Sequence, residues 1–460
     1  MGAVDLLFEA LQLVLREASL FAAVGFLFLG VGDLLIDLAW LMLAVRRAFR
    51  PNGAARVAGD LPPPAEPGRF AIFVPAWDEA DVIGGMLRHA IEAFGEADYL
   101  IYVGCYPNDP ATIAAVRRIA DPRVRLVVGP GAGPTSKADC LNRLWERMTA
   151  DEAAEGFSFK AVVLHDAEDV VHSAELRLFD SLIERFDLVQ LPVVPLVDRK
   201  SRWIAGHYLD EFAEAHGKEM VVRAAMGVGL PSAGVGCAIA RAALAAIAGQ
   251  RGEPFDTDSL TEDYELGLRL RAAGRSATFV RLPAAPGRAL VATKGYFPTT
   301  LHEAIAQKAR WVAGIALSGW DRLGWSGGLA ERWMRLRDRQ SVIAAFLLAV
   351  AYLASLCGAL VLTISLATGR EMRPFSETFI LLAAIATALL LWRLLVRFFF
   401  VARAHGWREA WRSPFRAFLG NAIAILAAAR ALDRYQSRRR TGQAIWDKTA
   451  HAFPARVPAE

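Results

Sequence analysis

The acidic run His165-Asp166-Ala167-Glu168-Asp169 is the stretch of this sequence best suited to chemistry. Carboxylates packed this closely repel one another unless a positive group sits between them. A divalent cation carrying phosphate oxygens is the usual answer. The plain alternative is a solvated acidic loop. Ala161–Leu164, all apolar, leads into the run. Such a stretch reads as a strand buried on both faces of a parallel sheet. Its carboxyl end is where open α/β sheets bind ligands, so the acids of Ala161–Val171 fall at a ligand-binding edge.

Three more groups invite the same question. Ser259-Leu260-Thr261-Glu262-Asp263-Tyr264-Glu265 precedes Leu266, Leu268 and Leu270, the pattern of a helix start. Thr261 fits the N-cap, and first-turn acids suit the helix dipole. Capping needs fewer acids than are present, so one carboxylate is left that could act as a general base. Gln307-Lys308-Ala309-Arg310-Trp311 lies in an amphipathic helix, Leu301 to Leu317. It reads either as part of a site or as an interfacial helix anchored by Arg and Trp. Lys137 follows the glycine-rich Gly129–Ser136. The segment lacks GxxxxGK[ST], and GxGxxG is absent, which argues against kinase-like and dinucleotide chemistry. Lys137 could neutralise a diphosphate, or simply open a surface helix.

These residues must be positioned by the elements around them. Strand and helix signals alternate from Phe70 onward, the mark of a parallel sheet. Phe70–Ala76 is a strand followed by Trp77-Asp78-Glu79-Ala80-Asp81 and a helix to Phe94. Tyr99–Val103 ends in Tyr106-Pro107-Asn108-Asp109-Pro110, Arg123–Val128 runs into the glycine-rich segment, and Val162–Leu164 carries the acids. Polar groups gather at one edge after every strand, as in a nucleotide site.

Of the 460 residues 54% are hydrophobic, and the mean hydropathy of +0.29 is high for a purely soluble protein. The excess lies at the two ends. Val4–Glu17 reads as a short interfacial helix and Ala18–Val45 as a span, ending in Arg46-Arg47-Ala48-Phe49-Arg50. Gln340–Gly369, preceded by Arg332, Arg335, Arg337 and Arg339, is a second span, and Thr378–Val401 a third. The basic flanks place the middle of the chain in the cytoplasm. Ala417–Ala429 is short, holds Asn421 and is bracketed by Arg416 and Arg430, so an interfacial helix is expected there. No removable signal peptide is read at the N-terminus. The net charge of +4 does not argue for nucleic acid, and lipid head groups are the simpler partner for the basic flanks. Cys105, Cys140, Cys237 and Cys357 are scattered without metal-ligand spacing, as free thiols would be. Asp37 and Arg393 each fall roughly 12 Å from the cytoplasmic ends of their spans, counting 1.5 Å per residue. They are expected either to pair or, for the arginine, to snorkel to the interface.

The ordered set PAWDEA, DAED, TED and QKARW over Phe70–Trp311, followed by membrane helices, resembles the processive, membrane-embedded glycosyltransferases of family 2. HDAEDVVH, DEFAEAHGKEMVVR, PSAGVG and LTEDYELGLRL look more specifically like its inner-membrane branch linked to phage N4 adsorption. The resemblance implies an α/β GT-A fold with a mostly parallel sheet, plus about three transmembrane helices. It implies a UDP-sugar donor with Glu79 and Asp109 by the uridine and Lys137 near the donor. Asp166 and Glu168 would match the DxD metal motif for Mg²⁺ or Mn²⁺, with Glu in the second place and Asp169 as an alternative ligand. Asp263 would be the base. Gln307, Arg310 and Trp311 would hold the diphosphate and the acceptor sugar, and Pro231–Cys237, with Gly236, would line the acceptor side.

The expected organisation is 1–50 interfacial helix and first span, 51–69 linker, 70–300 cytoplasmic GT-A domain, 301–340 amphipathic helices, 341–401 two spans, and 402–460 a basic tail. Such proteins often carry a C-terminal cyclic-di-GMP-sensing domain, which is not read after Arg440. The implied function is a multi-pass inner-membrane, inverting glycosyltransferase that builds an exopolysaccharide or surface glycan. A single transfer to polyprenyl phosphate and a non-catalytic phage-adsorption or export scaffold are the alternatives. Partners would be the donor, a glycan or lipid-linked acceptor, membrane lipids and an outer-membrane or export partner.

Overall fold

A computed structural model of the chain describes residues 3–49, 56–249, 252–441 and 451–457. Arg50, linker residues 51–55 and tail residues 442–450, all covered by the reading above, lie outside the described residues.

Strands β1 (Phe70–Pro75), β2 (Tyr99–Cys105), β3 (Val124–Val128) and β4 (Ala161–Leu164) pair in parallel in the order β3-β2-β1-β4. The sheet continues through β7 (Cys237–Ala240), antiparallel to both neighbours, to β5 (Leu188–Gln190) and β8 (Ala277–Phe279). A small second sheet joins β6 (Val193–Pro195) to β9 (Thr293–Gly295). β1 is buried along its whole length because both faces are covered. Ile72 and Val74 pack with Met86 and Leu87 of the helix Ile83–Phe94. Ala71 and Phe73 pack with Leu141 and Leu144 of the helix Lys137–Glu155. Each large apolar side chain buried in this way contributes about 1.5–3 kcal/mol. The strand order reverses between β1 and β4, and that switch point opens the crevice where doubly wound folds take ligands.

Among the described residues, four helices are long and apolar enough to cross a membrane, by length and composition, one more than the sequence reading counts. The expected interfacial helix and first span are instead one continuous helix, Ala3–Ala48. No proline interrupts it, and the helix Ser341–Thr368 packs against its N-terminal half. Phe21 meets Phe346, Gly25 faces Leu347 and Leu15 lies against Gly358. Small residues at such contacts let helices approach closely. The third candidate is Glu377–His405. The fourth, Ser413–Thr441, is far longer than the expected Ala417–Ala429. Its Ala427 and Ala431 pack on Ala309 and Ala313, and its Arg416 is fully buried between Asp210 and Glu409.

The charges inside the first helix pair differently from expectation. Arg393 bonds Asp33, which also takes Arg337 Nη2 at 3.0 Å. Asp37 instead accepts from Lys218 Nζ at 2.5 Å and Trp392 Nε1 at 2.9 Å. Lys218 belongs to a π-helical turn, Ala215–Glu219, that follows the helix Ile204–Glu214. One-dimensional depth counting sees only the spans. It misses a cation delivered by the globular domain.

Candidate active site

Three segments reach the crevice, two of them from the carboxyl ends of the parallel strands β3 and β4 and the third from the start of the helix Glu262–Ala272. The loop after β4 is shaped by the fully buried His165, which donates to Asp169 Oδ2 at 3.0 Å and to Glu175 Oε1 at 2.6 Å. Burial disfavours the imidazolium, but these two carboxylates outweigh it and push the His165 pKa up to about 10. Asp169 Oδ2 also accepts the Asp166 amide at 3.0 Å. Asp169 is therefore tied to the loop through Oδ2, and it lines the crevice together with Asp166 and Glu168. Lys137, at the start of its Ser136-capped helix, sits with Nζ 2.5 Å from Asp166 Oδ1. Burial works against its charge, yet Asp166, Glu262 and Asp263 hold its pKa above that of an ordinary lysine. Glu168 Oε2 is buried and has no hydrogen-bond partner among the described residues. Burial, with the neighbouring acids, pushes Glu168 up to about 8 against the pull of His451.

The helix Glu262–Ala272 divides its first-turn acids between structure and site. Glu265 is held by Ser259 Oγ at 2.7 Å and by Arg322. Thr261 occupies the N-cap position but makes no side-chain cap bond, and its hydroxyl is unpaired among the described residues. The cause is a neighbour. A Cβ on Gly314 would stand 2.5 Å from Thr261 Cγ2, so the threonine is pressed against the π-helical turn Ala313–Ser318. That turn follows the helix Leu301–Val312 and interrupts the amphipathic helix expected to run to Leu317. π-turns of this kind are common at functional sites. Here it locks the TED segment to the QKARW helix. Glu262 and Asp263 remain at the crevice, and burial raises the pKa of both, Glu262 to about 7.

A cavity of about 660 Å³ collects these groups. Lys137, Asp166, Glu168 and Asp263 line one part, and Gln307, Arg310 and Trp311 another. Gln307 Oε1 is buried with no partner among the described residues. The cavity continues to Asp33 and Ile36 of the first long helix, Ser341 of the second and Arg393 of the third.

Not every expected residue arrives there. Asp109 accepts from the Asp78 amide at 2.6 Å and the Thr112 amide at 3.2 Å, so it caps the helix Pro110–Arg117 and does not line the cavity. Glu79 does not line the cavity, but its Oε1 meets His451 Nδ1 at 2.8 Å. Gly236 packs on Thr293, and Gly234 is the glycine beside the base candidate. With φ +72° at Gly234, a Cβ would stand 2.6 Å from Asp263 Oδ2. Sequence reasoning missed Glu262 and His451 as site residues, and covered Gly234 only within Pro231–Cys237, of which Pro231, Ser232, Ala233 and Val235 line the cavity. Glu262 stands inside a motif already noted, whereas His451 carries no local signal.

The family model "Glycosyltransferase like family 2" matches residues 67–314. Bacteriophage adsorption protein B of Escherichia coli K12 and bacteriophage N4 adsorption protein B of E. coli O157:H7 are each 35% identical to this chain over 96% of it. The chain spans 62% of the length of these two relatives. Among solved structures, the mannosyltransferase PcManGT from Pyrobaculum calidifontis, in complex with GDP-Man and Mn²⁺, superposes with a TM-score of 0.52 at 17% identity, covering 92% of this chain and 99% of its own. The fold is GT-A-like, and the chain belongs to glycosyltransferase family 2.

Proposed function

We propose that the protein is a membrane-embedded, inverting glycosyltransferase that moves a hexosyl or N-acetylhexosaminyl group from a UDP-sugar to an acceptor at the bilayer. One observation carries this reading: acids from two separate loops and the QKARW side chains share a cavity that reaches the long apolar helices. Asp263 takes the proton of an acceptor hydroxyl. The acceptor oxygen then bonds the anomeric carbon as the bond to the diphosphate breaks. Lys137 and Arg310 take up the negative charge on the leaving group. One base and no carboxylate nucleophile means a single displacement with inversion. The buried, unpaired Glu168 Oε2 beside Asp166 is the kind of oxygen a hard cation seeks, so these two residues would hold Mg²⁺ or Mn²⁺. When bound, the ion would stabilise the departing diphosphate. Glu79 and Asp109 support the uridine side by shaping the loops behind it, and Trp311 with Gln307 receives the acceptor.

The phage-adsorption relatives favour a surface glycan or exopolysaccharide made at the bacterial inner membrane, with the globular domain on the cytoplasmic side where basic flanks lie. A single transfer to a polyprenyl phosphate is the second reading, favoured by the cavity's continuation to Asp33, Ser341 and Arg393. Membranes carrying the protein are incubated with a panel of UDP- and GDP-sugars, and nucleotide release and product size are measured. Release from a UDP-sugar with a long product supports the first reading, and a one-sugar lipid supports the second. No release from any donor overturns both and leaves a scaffold.

A further inference from the structure

The segment 451–457, which follows the fourth long helix in sequence, folds back onto the globular domain. His451 lines the cavity that holds Lys137 and Asp263, and its ring stands between two carboxylates. Nδ1 lies 2.8 Å from Glu79 Oε1, and Nε2 lies 3.4 Å from Glu168 Oε1. Two residues on, Phe453 packs against the core beside β1. Its ring covers Gly85, where a Cβ would stand 2.8 Å from it, and lies 6.2 Å from the His89 ring. The strap is thus anchored on the helix Ile83–Phe94 and inserted at the crevice.

The two ring nitrogens face opposite ways, each toward its own carboxylate. One ring nitrogen and one oxygen from each glutamate lie within 4.8 Å of one another, a spacing that three ligands of a cation would also show, but here each nitrogen already meets its own carboxylate. A wedge uses both sides of the ring. We propose that this strap is a self-inhibitory plug: His451 occupies the space between Glu79 and Glu168, and it must withdraw before a divalent cation and a nucleoside diphosphate can be bound there. The proposal rests on the reading of Glu168 as a cation ligand. If the strap is in place most of the time, the apparent affinity for the cation is reduced by the fraction of molecules that are open.

Manganese binding is measured on the full chain in lipid nanodiscs with UDP present, by the electron paramagnetic resonance of free Mn²⁺. His451→Ala and Phe453→Ala, which release the wedge and its anchor separately, are each expected to bind Mn²⁺ about three- to tenfold more tightly than the wild type. Amide exchange over residues 451–457 and 83–89 of the wild type should rise when Mn²⁺ and UDP are added together. Weaker binding by His451→Ala would make the ring a ligand and overturn the plug, as would unchanged affinity in both variants. Absence of Mn²⁺ binding in all three proteins would instead overturn the cation reading, and the plug with it.

Discussion

Lys137 Nζ lies 2.5 Å from Asp166 Oδ1, joining the start of a helix to the loop after β4 across the crevice. The ammonium also feels Glu262 and Asp263, so one cation ties together both acidic groups of the site. Replacing it with methionine removes charge where the diphosphate would sit. Lys137→Met is expected to lower kcat/KM on the order of 100-fold, the scale of losing one preorganised electrostatic contact. Steady-state kinetics with the accepted donor check this.

Asp263 is the proposed base, and burial lifts its pKa above the ordinary carboxylate value. Its neighbour Glu262 is lifted to about 7, so the two titrate as a pair. A base works only when deprotonated, so kcat should fall as the pH drops through the raised values and recover above them. Asp263→Asn should lose about 10²–10⁴-fold in transfer while retaining UDP binding. A variant that transfers sugar at the wild-type rate would remove Asp263 from the mechanism.

His165 bridges Asp169 and Glu175 with no exposure to water. Its folded pKa, about 10, exceeds the unfolded value near 6.5, so the bound proton stabilises the fold. That stability is fully present below the unfolded value and is lost as the pH rises toward about 10. His165→Phe leaves two buried acids without their cation and should destabilise the domain by about 3–5 kcal/mol, the cost of breaking a buried ion pair. Thermal unfolding of the detergent-solubilised protein across pH reads both effects.

Among the long apolar helices, Asp33 bonds Arg393 whereas Asp37 bonds Lys218. Contacting pairs couple by about 0.5–3 kcal/mol, and independent ones add within about 0.5 kcal/mol. Double-mutant cycles should therefore show coupling for Asp33→Asn with Arg393→Gln and for Asp37→Asn with Lys218→Met. Asp37→Asn with Arg393→Gln, linked only indirectly through Lys218 and Glu214, should couple more weakly than either contacting pair.

Much of this molecule is legible along the chain. The parallel strands, the acids at their carboxyl ends, the TED helix start and the apolar helices all follow from patterns within a dozen residues. Apolar period and clustered charge are local properties that burial and repulsion enforce directly. Tertiary packing decided the rest. Asp169 was tied into the loop by His165, whose other nitrogen is held by Glu175, and Asp109 was drawn into a helix cap by the amides of Asp78 and Thr112. Gly314 pinned Thr261, Lys218 captured Asp37, and His451 returned from beyond the fourth helix to Glu79. A charged side chain's role depends on which opposite charge is nearest in space. Chain order does not carry that distance until the sheet and helices have closed around it.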